Sequence, residues 1–76
     1  MIDRPDTLLD LTEYRHIAGY VLALLLLHRS QGLLGMRLRS RHDAHWLAAR
    51  LLNQGYAVQE IRAQGEQAVL TVRKSA

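Results

Sequence analysis

The alternation of apolar and polar positions along the chain predicts two helices and three strands. From about Leu11 to Ser30, apolar residues recur at the i, i+3, i+4, i+7 spacing of a helix that faces a core. Asp10 and Glu13 have the spacing of a capping box at the start of this helix. The stripe that we predict to cover the sheet consists of Tyr14, Ile17, Ala18, Val21, Leu24, Leu25 and His28.

A second apolar surface lies on the other side of the same helix and is formed by Gly19, Tyr20, Ala23, Leu26 and Leu27. A helix that is apolar nearly all round needs cover all round, here from the second helix or from a second subunit. A glycine and an alanine four positions apart allow two helices to approach closely. We therefore predict a two-fold homodimer through Gly19, Ala23, Leu26 and Leu27.

The middle of the chain predicts a strand followed by a second helix. Over residues 33–39, leucine and methionine alternate with Gly35, Arg37 and Arg39, which indicates a half-buried strand with arginine on one face. Ser40 followed by Asp43 is an N-cap signal, and Gly55 is the predicted end of the helix. The inward side of this helix is predicted to carry Ala44, Leu47, Ala48, Leu51 and Leu52.

Two further strands form a predicted hairpin. Segments 56–63 and 67–73 flank Gly65-Glu66, and a glycine first in a two-residue loop suits a type II′ turn. This register pairs Ile61 with Leu70. It turns Ala57, Ile61, Ala68, Leu70 and Val72 inward, and Val58, Glu60, Arg62, Val69, Thr71 and Arg73 outward. Val58 and Val69 on the outward face are compatible with ordinary exposure, a bulge or an interface.

These elements predict an α+β fold in the order αβαββ, with a three-stranded antiparallel sheet packed against a long first helix and a shorter second helix. The chain, residues 1–76, is predicted to form a single domain. Residues 1–9 are expected to be an acidic N-terminal arm, and residues 74–76 a loose C-terminus.

The length and composition of the chain limit its expected stability, its cellular location and its contact with membranes. A chain of 76 residues buries only about 60 % of its unfolded surface, so its core is small and a partner is expected to help. There is no cysteine, which excludes disulfides and thiolate metal sites and favours a reducing, cytoplasmic location. The longest apolar run, Tyr20 to Leu27, is too short to cross a bilayer, so no membrane contact is expected.

Charge is divided unevenly along the chain. Residues 1–13 carry a net charge of −3 and residues 14–76 a net charge of +6. Between Arg29 and Arg50 there are five arginines and a single acid, Asp43. This distribution predicts a surface that binds an anionic partner, either nucleic acid or an acidic protein surface.

Two groups of residues are candidates for that surface. Arg37, Arg39 and Arg41 recur every second residue, so on an extended segment they would project from one face about 6.5–7 Å apart, close to the spacing of phosphates on one strand. The alternative is a solvated strand face that resists aggregation.

Trp46 is predicted to lie opposite the inward stripe of the second helix, beside His42 and Arg50, where it could contact a partner. The alternative is that Trp46 packs against the first helix or the N-terminal arm. Arg62 and Arg73 complete the candidate set as outlying contacts.

The sequence gives no sign of catalysis. There is no cysteine nucleophile, no glycine-rich phosphate loop and no pair of acids that the pattern places in one cleft. His42 and His45 have a spacing that could share a metal ion, but no third ligand is evident. We therefore expect neither an enzyme nor a metal, cofactor or small-molecule substrate.

The resulting prediction is a small non-catalytic binding module that contacts an anionic partner, with nucleic acid favoured, through an arginine-rich strand and helix surface. One alternative is a protein-binding inhibitor or adaptor, of the kind that mobile genetic elements carry, acting through Trp46 and the apolar flank of the first helix. Another is a structural homodimerising subunit of a larger assembly.

Overall fold

The computed structural model describes residues 7–30 and 32–74, which form a four-stranded sheet and two helices. The elements are β1 (Thr7–Asp10), α1 (His16–Arg29), β2 (Leu34–Leu38), α2 (Arg41–Asn53), β3 (Tyr56–Gln64) and β4 (Gln67–Lys74). The α+β class is confirmed. The predicted three strands and αβαββ order are wrong, because a further strand precedes α1.

The strand order in the sheet is β1-β2-β4-β3. β1 runs parallel to β2, and α1 connects the two, whereas β4 is antiparallel to both of its neighbours. Residues 7–9 of the predicted acidic arm therefore belong to a strand, and Lys74 ends β4 rather than lying in a loose tail. Residues 1–6 and 75–76 lie outside the described residues.

Both helices pack on one face of the sheet, and the core lies between the two layers. β2 contributes Leu34, Met36 and Leu38 to this core, and these residues pair across to Val72, Leu70 and Ala68 of β4. α2 adds Ala44, Leu47, Ala48 and Leu51, and α1 adds Ala23 and Leu27. The opposite face of the sheet is covered by neither helix.

The start of α1 differs from the predicted capping box. Asp10 ends β1, and its Oδ1 accepts hydrogen bonds from the Thr12 backbone N–H at 3.0 Å and the Thr12 hydroxyl at 2.6 Å. An aspartate that accepts from the backbone two residues on forms an Asx turn, which competes with helix formation. α1 consequently begins at His16, and its N-cap residue Arg15 makes no side-chain cap.

The predicted orientation of α1 is wrong. Gly19, Ala23 and Leu27 are buried in the core of the same chain, and Leu26 is half-buried against that core. Ala23 and Leu27 have no exposed surface to offer a second subunit. The residues of the stripe that was predicted to cover the sheet are exposed instead, except Leu24, which is half-buried against the core.

α2 agrees closely with the sequence pattern. Ser40 caps it by accepting from the Asp43 N–H at 3.1 Å, and Gly55 follows its end with a φ of 91°. Ala44, Leu47, Ala48 and Leu51 are buried as predicted. Leu52 is the exception: it is 56 % exposed.

The hairpin has the predicted register near its turn and departs from it further along. Ile61 pairs with Leu70, and Gly65 takes a φ of 62° at the turn. The register then shifts between Val58 and Glu60, so that Gln59 is an extra residue on β3. Val58 therefore joins the core face opposite Val72, and Ala57, which was predicted to point inward, lies on the other face opposite Arg73.

Candidate functional site

Trp46 packs against the first helix, as in the alternative that the sequence left open. Its ring stacks on His16 with the centroids 4.7 Å apart, and Tyr20 meets it edge-on at 6.4 Å. The Arg50 guanidinium lies over the ring at 5.1 Å from the centroid. Trp46 is half-buried in this cluster, which joins α1 to α2.

An open cleft of about 280 Å³ lies beside this cluster, lined by Tyr14, Arg15, His16, Arg39 and Asp43. Most of its charged groups are engaged within the chain. His16 pairs with Asp43 through its Nε2. Arg39 donates through Nε and Nη2 to the Thr12 carbonyl oxygen at 3.0 and 2.8 Å. The cleft therefore offers a ligand few polar groups that the protein does not already use.

The structure separates the predicted binding residues into two groups on opposite sides of the molecule. Arg37, Arg62 and Arg73 lie on the open face of the sheet, since they alternate with residues that face the helices. Arg41, His42 and Arg50 are exposed on α2, on the side of the core away from that face. β2 ends at Leu38 and Arg41 begins α2, so Arg37, Arg39 and Arg41 do not form one extended row.

The open face has a compact arrangement of arginines around small residues. Arg37 on β2 pairs with Val69 on β4, which pairs in turn with Arg62 on β3. Neighbouring strands lie 4.7–4.9 Å apart, so the Cα atoms of Arg37 and Arg62 are about 10 Å apart. Arg73 is four residues beyond Val69 on β4, about 13 Å away along the strand.

The acids on this face are Asp10 and Glu60, and each has a partner. The two hydrogen bonds from Thr12, together with the nearby Arg37 charge, hold the pKa of Asp10 below its usual value of 3.8. Glu60 lies 3.5 Å from Arg62 in an exposed pair, which is a weak contact in water. Neither acid makes an ion pair with Arg37 among the described residues.

Arg37 has an unusual environment for an arginine next to an open surface. Its Nε is covered by protein and donates to no acceptor in the described part of the chain. A buried donor without a partner costs about 1–3 kcal/mol. A movement of the side chain towards an anion on the open face would allow Nε to donate.

Sequence reasoning missed the small residues in the middle of this face. Thr71 is only 3 % exposed, and it pairs with Gly35 on one side and Glu60 on the other. The alternation in β2 already placed Gly35 on the same face as Arg37, so the signal was present. Gly35 is buried as well, so the middle of this face is covered by neighbouring protein atoms.

Other kinds of site receive no support within residues 7–30 and 32–74. No group of three or more histidine, aspartate or glutamate side chains there is placed to hold a metal ion. No helix in the same ranges has the length and apolar character that crossing a membrane requires.

Comparison of the chain with protein-family models, with curated proteins and with solved structures finds no match.

Proposed function

We propose that this protein is a non-catalytic module that binds nucleic acid, in single-stranded form, on the open face of its sheet. Arg37, Arg62 and Arg73 contact the phosphates of the strand. The observation that carries the proposal is the Arg37 Nε, a buried donor that finds no acceptor within residues 7–30 and 32–74 and lies beside a face that neither helix covers.

The chemistry of the face favours phosphate over base contacts. Arginine is the side chain best suited to phosphate, because its planar fork can donate two parallel hydrogen bonds. None of the described residues on this face is aromatic, and base stacking on such rings is the usual second component of single-strand binding. We therefore expect binding that depends strongly on salt and little on sequence.

The shape of the face favours a single strand over a duplex. The described residues place no helix on this side, so no element is positioned to enter a groove of the double helix. A single strand can follow the sheet surface and bring its phosphates to arginines whose Cα atoms are about 10–14 Å apart.

The test is fluorescence anisotropy with a labelled oligonucleotide at several salt concentrations. We expect Arg37→Ala, Arg62→Ala and Arg73→Ala each to weaken binding, and each lost contact to reduce the slope of log K against log salt by about 0.7. Arg41→Ala is the matched control, because it removes the same charge from the helix side. An equal loss in Arg41→Ala, or a parent protein that does not bind at low salt, would overturn the proposal.

The protein-binding alternative loses both of its supports, since Trp46 is already engaged by α1 and the predicted apolar flank of α1 lies in or against the core. An acidic protein surface remains the second candidate for the same arginines. A pull-down with and without nuclease distinguishes the two partners, because only a nucleic-acid partner is lost on digestion. The absence of enzymatic activity and the cytoplasmic location stay predictions.

A further inference from the structure

β3 forms one edge of the sheet, and its outer side pairs with no strand within residues 7–30 and 32–74. The strand order β1-β2-β4-β3 leaves β4 as its only neighbour. β3 has nine residues, whereas the opposite edge strand, β1, has four. An unpaired edge presents backbone N–H and C=O groups that can pair with a further strand.

The register of the hairpin identifies the backbone groups that point away from β4. The two-residue loop is closed by Gln64 and Gln67, which form a hydrogen-bonded pair in a hairpin of this kind. Hydrogen-bonded and non-hydrogen-bonded pairs alternate along an antiparallel ladder, so Arg62 and Glu60 also bond to β4. The N–H and C=O of Ile61 therefore point to the free edge.

We propose that this edge is the interface of a two-fold homodimer in which β3 pairs antiparallel with β3 of a second copy, with Ile61 on the axis. The Ile61 N–H of each copy donates to the Ile61 carbonyl oxygen of the other. Because the axis is perpendicular to the sheet, the two copies form one eight-stranded sheet with both open faces on the same side. This interface differs from the one predicted from the sequence, whose residues lie in or against the core.

The charged residues of β3 identify a second copy as the partner. Glu60 and Arg62 are the only charged residues of the strand, they stand on either side of Ile61, and both are exposed. With Ile61 on the axis, Glu60 of each copy lies directly opposite Arg62 of the other, in non-hydrogen-bonded pairs whose side chains are closest. An axis at Glu60 or at Arg62 would instead place like charges opposite each other.

The helix side of β3 fits the same arrangement. Ile61 packs against the core of its own chain and is half-buried there. Pairing Ile61 with its copy covers the exposed part of both side chains with apolar surface. The bulge at Gln59 confines regular pairing to the residues around Ile61.

The dimer is compatible with the proposed function and does not rest on it. A guanidinium has five N–H donors, so Arg62 can contact both Glu60 of the second copy and a phosphate. The tests below use protein free of nucleic acid, so their outcome is independent of the anion that the open face binds.

The first test is the mass of the full chain by sedimentation equilibrium at up to about 200 μM, since so short a pairing buries less than the roughly 800 Å² per partner of a standard interface and favours micromolar affinity. We expect the parent to be dimeric at the upper end of this range. Glu60→Arg and Arg62→Glu should each be monomeric there, because each places like charges opposite each other. The double variant should dimerise again, because opposite charges then face each other. Glu66→Arg is the matched control: it makes the same charge change as Glu60→Arg in the hairpin turn, outside β3, and should remain dimeric.

Amide hydrogen exchange gives a second readout at the axis itself. The Ile61 N–H should exchange more slowly as the concentration of the parent rises, because it gains an acceptor only in the dimer. The Arg62 N–H bonds to β4 in the single chain and serves as the internal reference. In Glu60→Arg, exchange at Ile61 should not depend on concentration.

Three results would overturn the proposal: a parent that is monomeric throughout, a double variant weaker than both single variants, or a dimer in which exchange at Ile61 is unchanged.

Discussion

Trp46 illustrates how one side chain can connect two helices. Its ring lies between His16 and Tyr20 of α1 and the Arg50 guanidinium of its own helix. Stacked and edge-on aromatic pairs contribute about 0.5–1.5 kcal/mol beyond the area they bury. We therefore assign Trp46 to the packing of α1 on α2.

Replacing Trp46 by alanine should destabilise the fold. We expect a loss of about 2–3 kcal/mol, below the 3–5 kcal/mol of a fully buried ring because Trp46 is half-buried. For a domain of this size, the melting temperature should fall by more than about 10 °C. Trp46→Phe keeps an aromatic ring and should lose less, and Leu52→Ala on the exposed side of α2 should change little. Thermal unfolding of the three variants measures these differences. A melting temperature of Trp46→Ala close to that of the parent would contradict the packing role of Trp46.

Asp10 should give the protein a pH-dependent component of stability. Hydrogen bonds from Thr12 lower the pKa of Asp10 in the folded state, so its contribution is present at pH values above 3.8 and is lost as the pH falls through the lowered pKa. We expect Asp10→Asn to be less stable than the parent at pH 7 and equally stable in strong acid. Denaturant unfolding from pH 7 to pH 2 measures the difference.

Glu66→Gln is the control for Asp10, since Glu66 is an exposed acid in the hairpin turn. A difference between parent and Asp10→Asn that stays constant across the whole pH range would show that the Thr12 contacts do not lower the pKa of Asp10.

The helix α1 shows what the sequence pattern could and could not determine at the scale of an element. The chain is apolar from Ile17 to Leu27, so the period of 3.6 is visible but the inward side is not. Packing selects the side with the small residues Gly19 and Ala23, which lets the helix approach its neighbours closely. α2 has polar residues on one side, and its buried stripe was predictable for that reason.

Replacing Gly19 and replacing Gly55 by alanine should change the free energy of unfolding in opposite directions. A Cβ built on Gly19 lies 3.8 Å from both Leu11 Cδ1 and Tyr14 Cβ, which is ordinary contact, so Gly19→Ala should stabilise α1 by about 0.5–1 kcal/mol. Gly55 has a φ of 91°, where alanine is strained, so Gly55→Ala should cost about 1–2 kcal/mol. Denaturant midpoints of the two variants test the pair, and a destabilised Gly19→Ala would mean that this helix packs more tightly than its contacts indicate.

The strands show a similar contrast. The hairpin could be predicted from its glycine turn and its alternation. For Val58 the sequence left ordinary exposure, a bulge and an interface open, and the structure shows a bulge. β1 was missed because four residues with two adjacent leucines have no strict alternation, and because Asp10 and Glu13 resemble a helix start. Its pairing with β2 is a contact between segments far apart in sequence, which no local pattern encodes.

At the scale of the whole molecule, the two-layer arrangement decides which charges can act together. The arginines that looked continuous in the sequence are divided by the sheet, with Arg37 on one side and Arg41 on the other. In the fold, Arg37 instead shares the open face of the sheet with Arg62 and Arg73, which are distant from it in sequence. Charge alone predicted an anionic partner, whereas the set of residues that share the open face could be derived only from the strand order.

The most direct test of the proposal that the open face of the sheet binds nucleic acid is an NMR titration of the isotopically labelled protein with a short single-stranded oligonucleotide at low salt. We expect the shift changes to concentrate on the open face, at Gly35, Arg37, Val69, Thr71 and Arg62, and the Arg37 Nε–H signal to move as it gains an acceptor. Signals from the outer side of α2, such as Arg41 and His45, should change little. Shifts confined to α2 and the cleft beside Trp46, or none at all, would contradict the assignment of nucleic-acid binding to the sheet.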